Sequence, residues 1–384
     1  MTKTSNRQNI FGLCILFASI LAGSVAFGIN IIALPAILIK HNVSPFLIGI
    51  ATAAEICASI FISFYLSKII AKLGALRSSL LFSLLYALNI AVIFFYQNFS
   101  LWLAICVING FCWFGLYIIR QSWINILIKN EVRSIALALI TTTFCVGIVI
   151  GAFVVKNLGA QNYTSFLTSS SLIAISGLIL LLARRTRPRN IDAHRIKISE
   201  FFRQQPRIAT ARLLLEIQCG CLVLLSVVFG AKVNISPENS GMLIGAFMAS
   251  GFCDLYAGFL VNKYDRYKMI LTGFVGCLVI MSCGLFFYHS FVALLAIYFF
   301  FGCFTALIFV ASITIANESF PKEKLIASNS TFQSIASIGQ LLGAFIGGAL
   351  ISLFDFYGFF ITIILANSGY FIFIFLYEKK RQKN

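Results

Sequence analysis

The chain has 384 residues, of which 60% are hydrophobic and only 11% charged. A soluble domain is normally about a quarter charged, so a single water-excluded core cannot absorb this much apolar surface, and much of it must face lipid. The formal net charge of +17 would suit a nucleic-acid partner, but its distribution along the chain reports topology instead and excludes that class.

Apolar runs of about 20 residues, the length that crosses the hydrocarbon layer, recur from end to end. They predict spans 1 to 6 at 10–39, 46–66, 76–96, 100–128, 134–156 and 163–183. Spans 7 to 12 follow at 208–230, 241–261, 269–288, 291–316, 326–353 and 357–377. The expected fold is an all-α membrane protein of twelve transmembrane helices. Helices satisfy their own backbone hydrogen bonds in lipid, and the alternation of a barrel strand is absent. The first run, preceded by Lys3 and Arg7, is too long for a signal-peptide core and is expected to remain as an anchor.

When the loops are assigned alternately to two sides, 25 of the 29 Lys and Arg fall on one of them. The other side holds Lys40, Lys156 and Lys232, and Arg120 lies inside span 4. This is the positive-inside pattern, and it predicts cytoplasmic N- and C-termini with membrane lipids as a secondary partner. The 11 cysteines sit almost entirely within spans, where Cys acts as a small apolar residue. Cys219 and Cys221 are the closest pair and have no nearby His, so neither a metal nor a cofactor is expected.

The longest polar stretch, Arg184 to Arg207, falls at the centre of the chain. It divides the sequence into a six-helix bundle at 1–185, a basic cytoplasmic linker at 186–207 and a second six-helix bundle at 208–384. The halves repeat. Span 5 carries Gly147-Ile148-Val149-Ile150-Gly151-Ala152-Phe153, and span 11 carries Gly339-Gln340-Leu341-Leu342-Gly343-Ala344-Phe345, offset by 192 residues. The loop after span 2, with Lys72, Gly74 and Arg77, matches the loop after span 8, with Lys263, Asp265 and Lys268, at an offset of 191. Parallel six-helix repeats are a signature of transporters that rock one half against the other. The Gly-x-x-x-Gly spacing lets helix backbones approach closely.

These loops and repeats resemble the major facilitator superfamily. That family carries a motif of the form G-x-L-x-D-R-x-G-R-[RK] between helices 2 and 3 and a weaker copy between helices 8 and 9. The second copy here keeps Gly258, Leu260, Lys263 and Arg266, with Asn262 at the acidic position. The first keeps Lys72, Gly74 and Arg77, while Ser67 and Ala71 replace the first glycine and the acid. Gly302-Cys303-Phe304-Thr305 and Ala327-Ser328-Asn329, ahead of Gly339 and Gly343, are similar to the bacterial YcaD-like or sugar-efflux-like branch. The resemblance implies a bacterial inner-membrane transporter working by alternating access. Ala152 stands where family antiporters often carry proline after Gly-x-x-x-Gly.

Ionisable groups inside a bilayer are functional candidates by default, because each costs about 2.5–3.5 kcal/mol to insert. Glu55 lies near the middle of span 2 on a face shared with Ala51, Ser59 and Ser63. Asp254 lies in span 8 with Ser250 and Gly258 one turn either side. Both suit proton uptake and release, although Asp254 could equally cap or hold the motif loop beside it. Arg120, with Gln121 adjacent, either snorkels to the interface or faces a cavity and meets an anionic substrate or a carboxylate. Glu216 follows Arg212 by four residues, the spacing of a helical ion pair, and this pairing is favoured over a proton site. Asn30, Asn109, Trp113 and Gln218 are cavity candidates whose alternative is a helix–helix hydrogen bond.

The leading expectation is a proton-coupled secondary transporter of a small molecule, acting as a monomer in either symport or antiport. A nucleotide-driven pump lacks its P-loop. An enzyme lacks any hydrolase motif, and the three His (His41, His194, His289) lie in or beside loops. A lipid flippase or a non-transporting sensor on the same fold stays open, since fold does not fix cargo.

Overall fold

Helices form wherever the apolar runs leave the backbone no water to bond, and they stop where polar caps and glycine allow. The computed structural model describes residues 3–95, 98–128, 133–186, 197–320 and 325–383. The first six long helices are α1 (Lys3–Lys40), α2 (Pro45–Leu73), α3 (Ala75–Phe95), α4 (Phe99–Leu127), α5 (Arg133–Leu158) and α6 (Tyr163–Leu178), the last continued by a 3₁₀ segment to Thr186. A short α7 (Ile198–Gln204) precedes α8 (Pro206–Lys232). Then come α9 (Pro237–Ala249), a 3₁₀ turn (Ser250–Phe252) and α10 (Cys253–Lys263), which together make one span. The chain ends with α11 (Arg266–Phe287), α12 (Phe291–Ser319), α13 (Leu325–Phe354) and α14 (Tyr357–Lys383). Twelve spans are long and apolar enough to cross a membrane, and no strand occurs among the described residues.

Local chemistry sets the helix ends. Asn98, Ser236, Asp265 and Ser290 each accept a hydrogen bond from a backbone N–H in the first turn of α4, α9, α11 and α12, satisfying donors that the helix cannot. Between α2 and α3, Gly74 has φ +79°. Its N–H donates to the Ile70 carbonyl at 2.7 Å, a left-handed helix stop that only glycine adopts without strain.

Two compact units are present. Unit 1 is Met1–Asn42 with Ala54–Ala193, and unit 2 is Val43–Ala53 with His194–Asn384. Each has the same internal pairing. In unit 1, α1 packs on α5 and α6, and α3 on α4 and α6. In unit 2, α8 packs on α13 and α14, and α11 on α12 and α14. Counted from the start of each unit's six spans, these are the same four helix pairs.

The glycine pairs explain the tightest of them. A Cβ at Gly151 would lie 2.7 Å from the Val25 carbonyl oxygen and 3.0 Å from the Gly28 Cα, and one at Gly147 would collide with Ser24, all on α1. A Cβ at Gly339 would lie 2.6 Å from the Leu213 oxygen, and one at Gly343 would collide with the Ile217 oxygen, both on α8. Backbone thus meets backbone at equivalent crossings of both units. Within the stretch read from sequence as a linker, α7 buries Phe201 completely, stacked on Phe320 at 5.2 Å.

Candidate functional site

Glu55 and Arg120 lie inside the spans of unit 1, and neither forms an ion pair among the described residues. Glu55 sits ten residues into α2, about 15 Å along it at 1.5 Å per residue. It marks a close crossing with α4, because a Cβ at Gly110 would collide with the Glu55 backbone carbonyl. Among the described residues, no hydrogen bond or ion pair reaches the Glu55 carboxylate. Its electrostatic neighbours are the Tyr86 hydroxyl and the Cys106 thiol. From Tyr86 a polar chain continues: Asn30 Nδ2 donates to Tyr86 Oη at 3.4 Å, and Ser169 Oγ donates to Asn30 Oδ1 at 2.9 Å. Three helices, α1, α3 and α6, therefore supply a line of hydroxyl and amide groups leading from beside the carboxylate. Ala51 is buried on the same side of α2, while the Ser59 and Ser63 side chains lie outside the described residues.

Arg120 occupies α4 farther along. It is only 2% exposed, its guanidinium packed between α1 and α6. Nη2 donates to Ser176 Oγ on α6 at 2.9 Å, and Nε has no partner. Gly23 on α1 leaves room for the head group, since a Cβ there would approach Nη1 to 2.8 Å. A small cavity beside it is lined by Ser24, Trp113, Tyr117, Gln121, Ile140 and Phe144. Trp113 stacks on Phe27 with ring centres 4.6 Å apart, and its ring centre is 6.2 Å from that of Tyr86. The indole therefore stands between the Glu55–Tyr86 region and the Arg120 cavity. Asn109, also on α4, is buried with its Oδ1 unpartnered.

Unit 2 uses its buried charges differently. Arg212 Nη1 and Glu216 Oε1 are 2.7 Å apart on α8, and Gln340 Nε2 from α13 donates to Glu216 Oε2 at 2.7 Å. The guanidinium also lies over Phe309 and Phe332, at 4.9 and 4.8 Å. Both oxygens of Glu216 are thus engaged in packing. Gln218 is fully buried and accepts from Asn367 Nδ2 on α14 at 2.7 Å, a bond between helices, while its own Nε2 has no partner among the described residues.

Asp254 stands in the first turn of α10, immediately after the 3₁₀ break. Among the described residues it has no ion-pair partner. A Cβ at Gly258 would meet nothing within 4 Å, and neighbouring Leu255 is 81% exposed.

At the motif loops, Lys72 and Arg77 are exposed and form no ion pair among the described residues. In the second copy Lys263 lies over the Tyr264 ring at 5.4 Å. Arg266 pairs with Glu318 at the end of α12, so the acid missing at Asn262 is supplied from another helix. Sequence reading missed Tyr86, Ser169, Ser176, Glu318, Gln340 and Asn367. Among the described residues, no group of three or more His, Cys, Asp or Glu could hold a metal ion.

Twelve spans in two equivalently paired units, with a few ionisable groups inside them, define an integral membrane protein of the carrier type. The model of the Major Facilitator Superfamily matches residues 15–232 and 208–384; the chain belongs to this superfamily. Among solved structures it is similar to a mutant form of the nucleoside transporter NupG, with TM-score 0.80 and 13% identity over 94% of this chain and 99% of that one. It is also similar to a bacterial homolog of the human lysosomal transporter Spinster, in an inward-facing and occupied conformation. That match has TM-score 0.76 and 13% identity over 94% of this chain and 96% of that one. At such identity the likeness concerns the fold. No curated protein sequence matches the chain.

Proposed function

We propose that this member of the superfamily is a secondary active transporter that moves a small molecule across the bacterial inner membrane by alternating access, coupled to protons through Glu55. The observation that carries the reading is the Glu55 carboxyl itself. It lies mid-span, within electrostatic range of Tyr86 at the head of the Tyr86–Asn30–Ser169 chain, and among the described residues no cation forms an ion pair with it. An acid without a fixed counter-charge can exist in both protonation states as its surroundings change, which is what a carrier of protons requires. Asp254 is a second candidate, just after the 3₁₀ break of its span and without an ion-pair partner among the described residues. The charge asymmetry of the loops supports cytoplasmic termini, and the chain is taken to act as a monomer in contact with lipid.

The test is reconstitution into liposomes with a pH-sensitive dye inside. A panel of nucleosides, sugars, amino acids and organic acids is added outside. At least one solute should evoke a pH change, and Glu55→Gln should abolish it. Unaltered coupling in both Glu55→Gln and Asp254→Asn would overturn the assignment.

A further inference from the structure

Unit 2 carries a pair of thiols that the transport reading does not use. All 11 cysteines of the chain are free. Cys221 and Cys277 act in packing: both are fully buried, with their thiols directed at the carbonyls of Phe359 and Phe301. Cys253, in the first turn of α10, and Cys303, on α12, differ from these. They are half-buried, and their sulfurs lie 3.1 Å apart although 50 residues separate them in sequence. Disulfide sulfurs are about 2.05 Å apart, so an approach of about 1 Å brings this pair to bonding distance.

The backbone holds the two residues in register. A Cβ at Gly302 would collide with the Ser250 hydroxyl and would lie 3.0 Å from the Phe247 carbonyl oxygen. The missing side chain thus lets α12 run close against the end of α9 and the 3₁₀ turn. Cys253 follows Ser250 by three residues, and Cys303 follows Gly302 directly. Past this crossing α10 rests on α12 through a small cluster of Ala257, Ala306 and Leu307. Of its own residues α10 buries only Ala257 and Val261, while Leu255, Tyr256 and Phe259 are exposed. A short helix cut from α9 by the 3₁₀ turn, with so few buried apolar contacts, belongs to the easily displaced end of a structure. Asp254, the second acid proposed for proton handling, is the residue after Cys253.

We infer that Cys253 and Cys303 form an oxidisable dithiol, and that its conversion to a disulfide ties α10 to α12 and arrests solute movement. The oxidant is an uncharged two-electron acceptor able to enter the bilayer, with the azo compound diamide as the probe. One thiol adds across the N=N bond, and the second thiol attacks the sulfur of the first. The S–S bond forms and the S–N bond breaks. Both thiol protons and two electrons leave on the resulting hydrazine. An added dithiol reverses the link by thiol–disulfide exchange. The link stands on the geometry of the pair alone, whereas the arrest rests on the transporter reading.

The test treats the full chain in liposomes with diamide and then with dithiothreitol. Peptide mapping without reductant should recover Cys253 joined to Cys303. Backbone amides of α10 should exchange hydrogen at least about tenfold more slowly in the linked protein. Uptake of the solute that evokes a pH change should fall to background and return with dithiothreitol. Cys303→Ser should keep wild-type uptake and respond to diamide in neither measurement. Absence of the linked peptide, unchanged amide exchange in the linked protein, or equal slowing in treated Cys303→Ser would each overturn the inference. So would full uptake by the linked protein. A reduced chain that moves no panel solute would defeat the transporter reading, and peptide mapping with amide exchange would still decide whether oxidation ties α10 to α12. Because the wild type is compared with itself before and after oxidation, poor folding of Cys303→Ser leaves the test intact.

Discussion

Replacing Glu216 with Ala removes a carboxylate that holds two partners at once, Arg212 Nη1 and Gln340 Nε2, each at 2.7 Å. The arginine side chain is 5% exposed and the glutamate 9%, so solvent cannot take over either contact. Breaking a buried pair from one side typically costs about 3–5 kcal/mol, because the remaining charge is stranded. Replacing both partners by apolar residues of similar size is often neutral or stabilising by about 1–4 kcal/mol. Arg212→Met with Glu216→Leu suits this place, since the methionine sulfur would keep contact with the rings of Phe309 and Phe332. The assay is unfolding in mixed micelles followed by far-UV circular dichroism. Tryptophan fluorescence would be blind to this helix pair, because Trp102, Trp113 and Trp123 all lie in unit 1. A loss below about 1 kcal/mol in Glu216→Ala, or a double variant as unstable as the single one, would refute the account of Glu216 as a structural partner.

Other consequences are equally specific. Gly151→Leu and Gly343→Leu should each prevent assembly of the unit that contains them, seen as loss of the monodisperse peak in size-exclusion chromatography, since backbone from α1 or α8 fills the space a side chain needs. Gly74→Ala should cost about 1 kcal/mol through its positive φ alone, with a matching fall in unfolding midpoint. Glu318→Gln should change stability by less than about 1 kcal/mol, because its pair with Arg266 is exposed. The Cys253 and Cys303 sulfurs lie 3.1 Å apart, so a thiol-directed oxidant such as diamide should cross-link α10 to α12, and Cys253→Ser should prevent the cross-link in a mass-spectrometric map.

The spans were legible because a bilayer fixes helix length, and the structure places helices over every predicted run. Hydropathy did not show the 3₁₀ turn at Ser250–Phe252, since three residues are too few to interrupt the apolar run of the whole span. The Gly-x-x-x-Gly pairs announced close packing in sequence, but their partners, α1 and α8, were visible only in three dimensions. The Arg212–Glu216 pair could be read from its four-residue spacing. Gln340 could not, because it is 124 residues from Glu216. Serine in a membrane helix usually bonds its own backbone, as Ser79 and Ser83 do here, so nothing in the sequence distinguished Ser169 and Ser176. Tyr86 looked like one aromatic among many. For Arg120 the sequence left two orientations open, and its packing against Gly23 and Ser176 could be seen only in three dimensions.

The claim at the centre of this account is that Glu55 couples protons to solute movement. It is tested most directly by comparing two modes of transport in the same liposomes, using whichever panel solute evokes the pH change. Accumulation driven by an imposed pH gradient requires net proton movement, whereas exchange of labelled for unlabelled solute at equal pH does not. The account predicts that Glu55→Gln abolishes gradient-driven accumulation and retains exchange. Gradient-driven accumulation at the wild-type level in Glu55→Gln would contradict it.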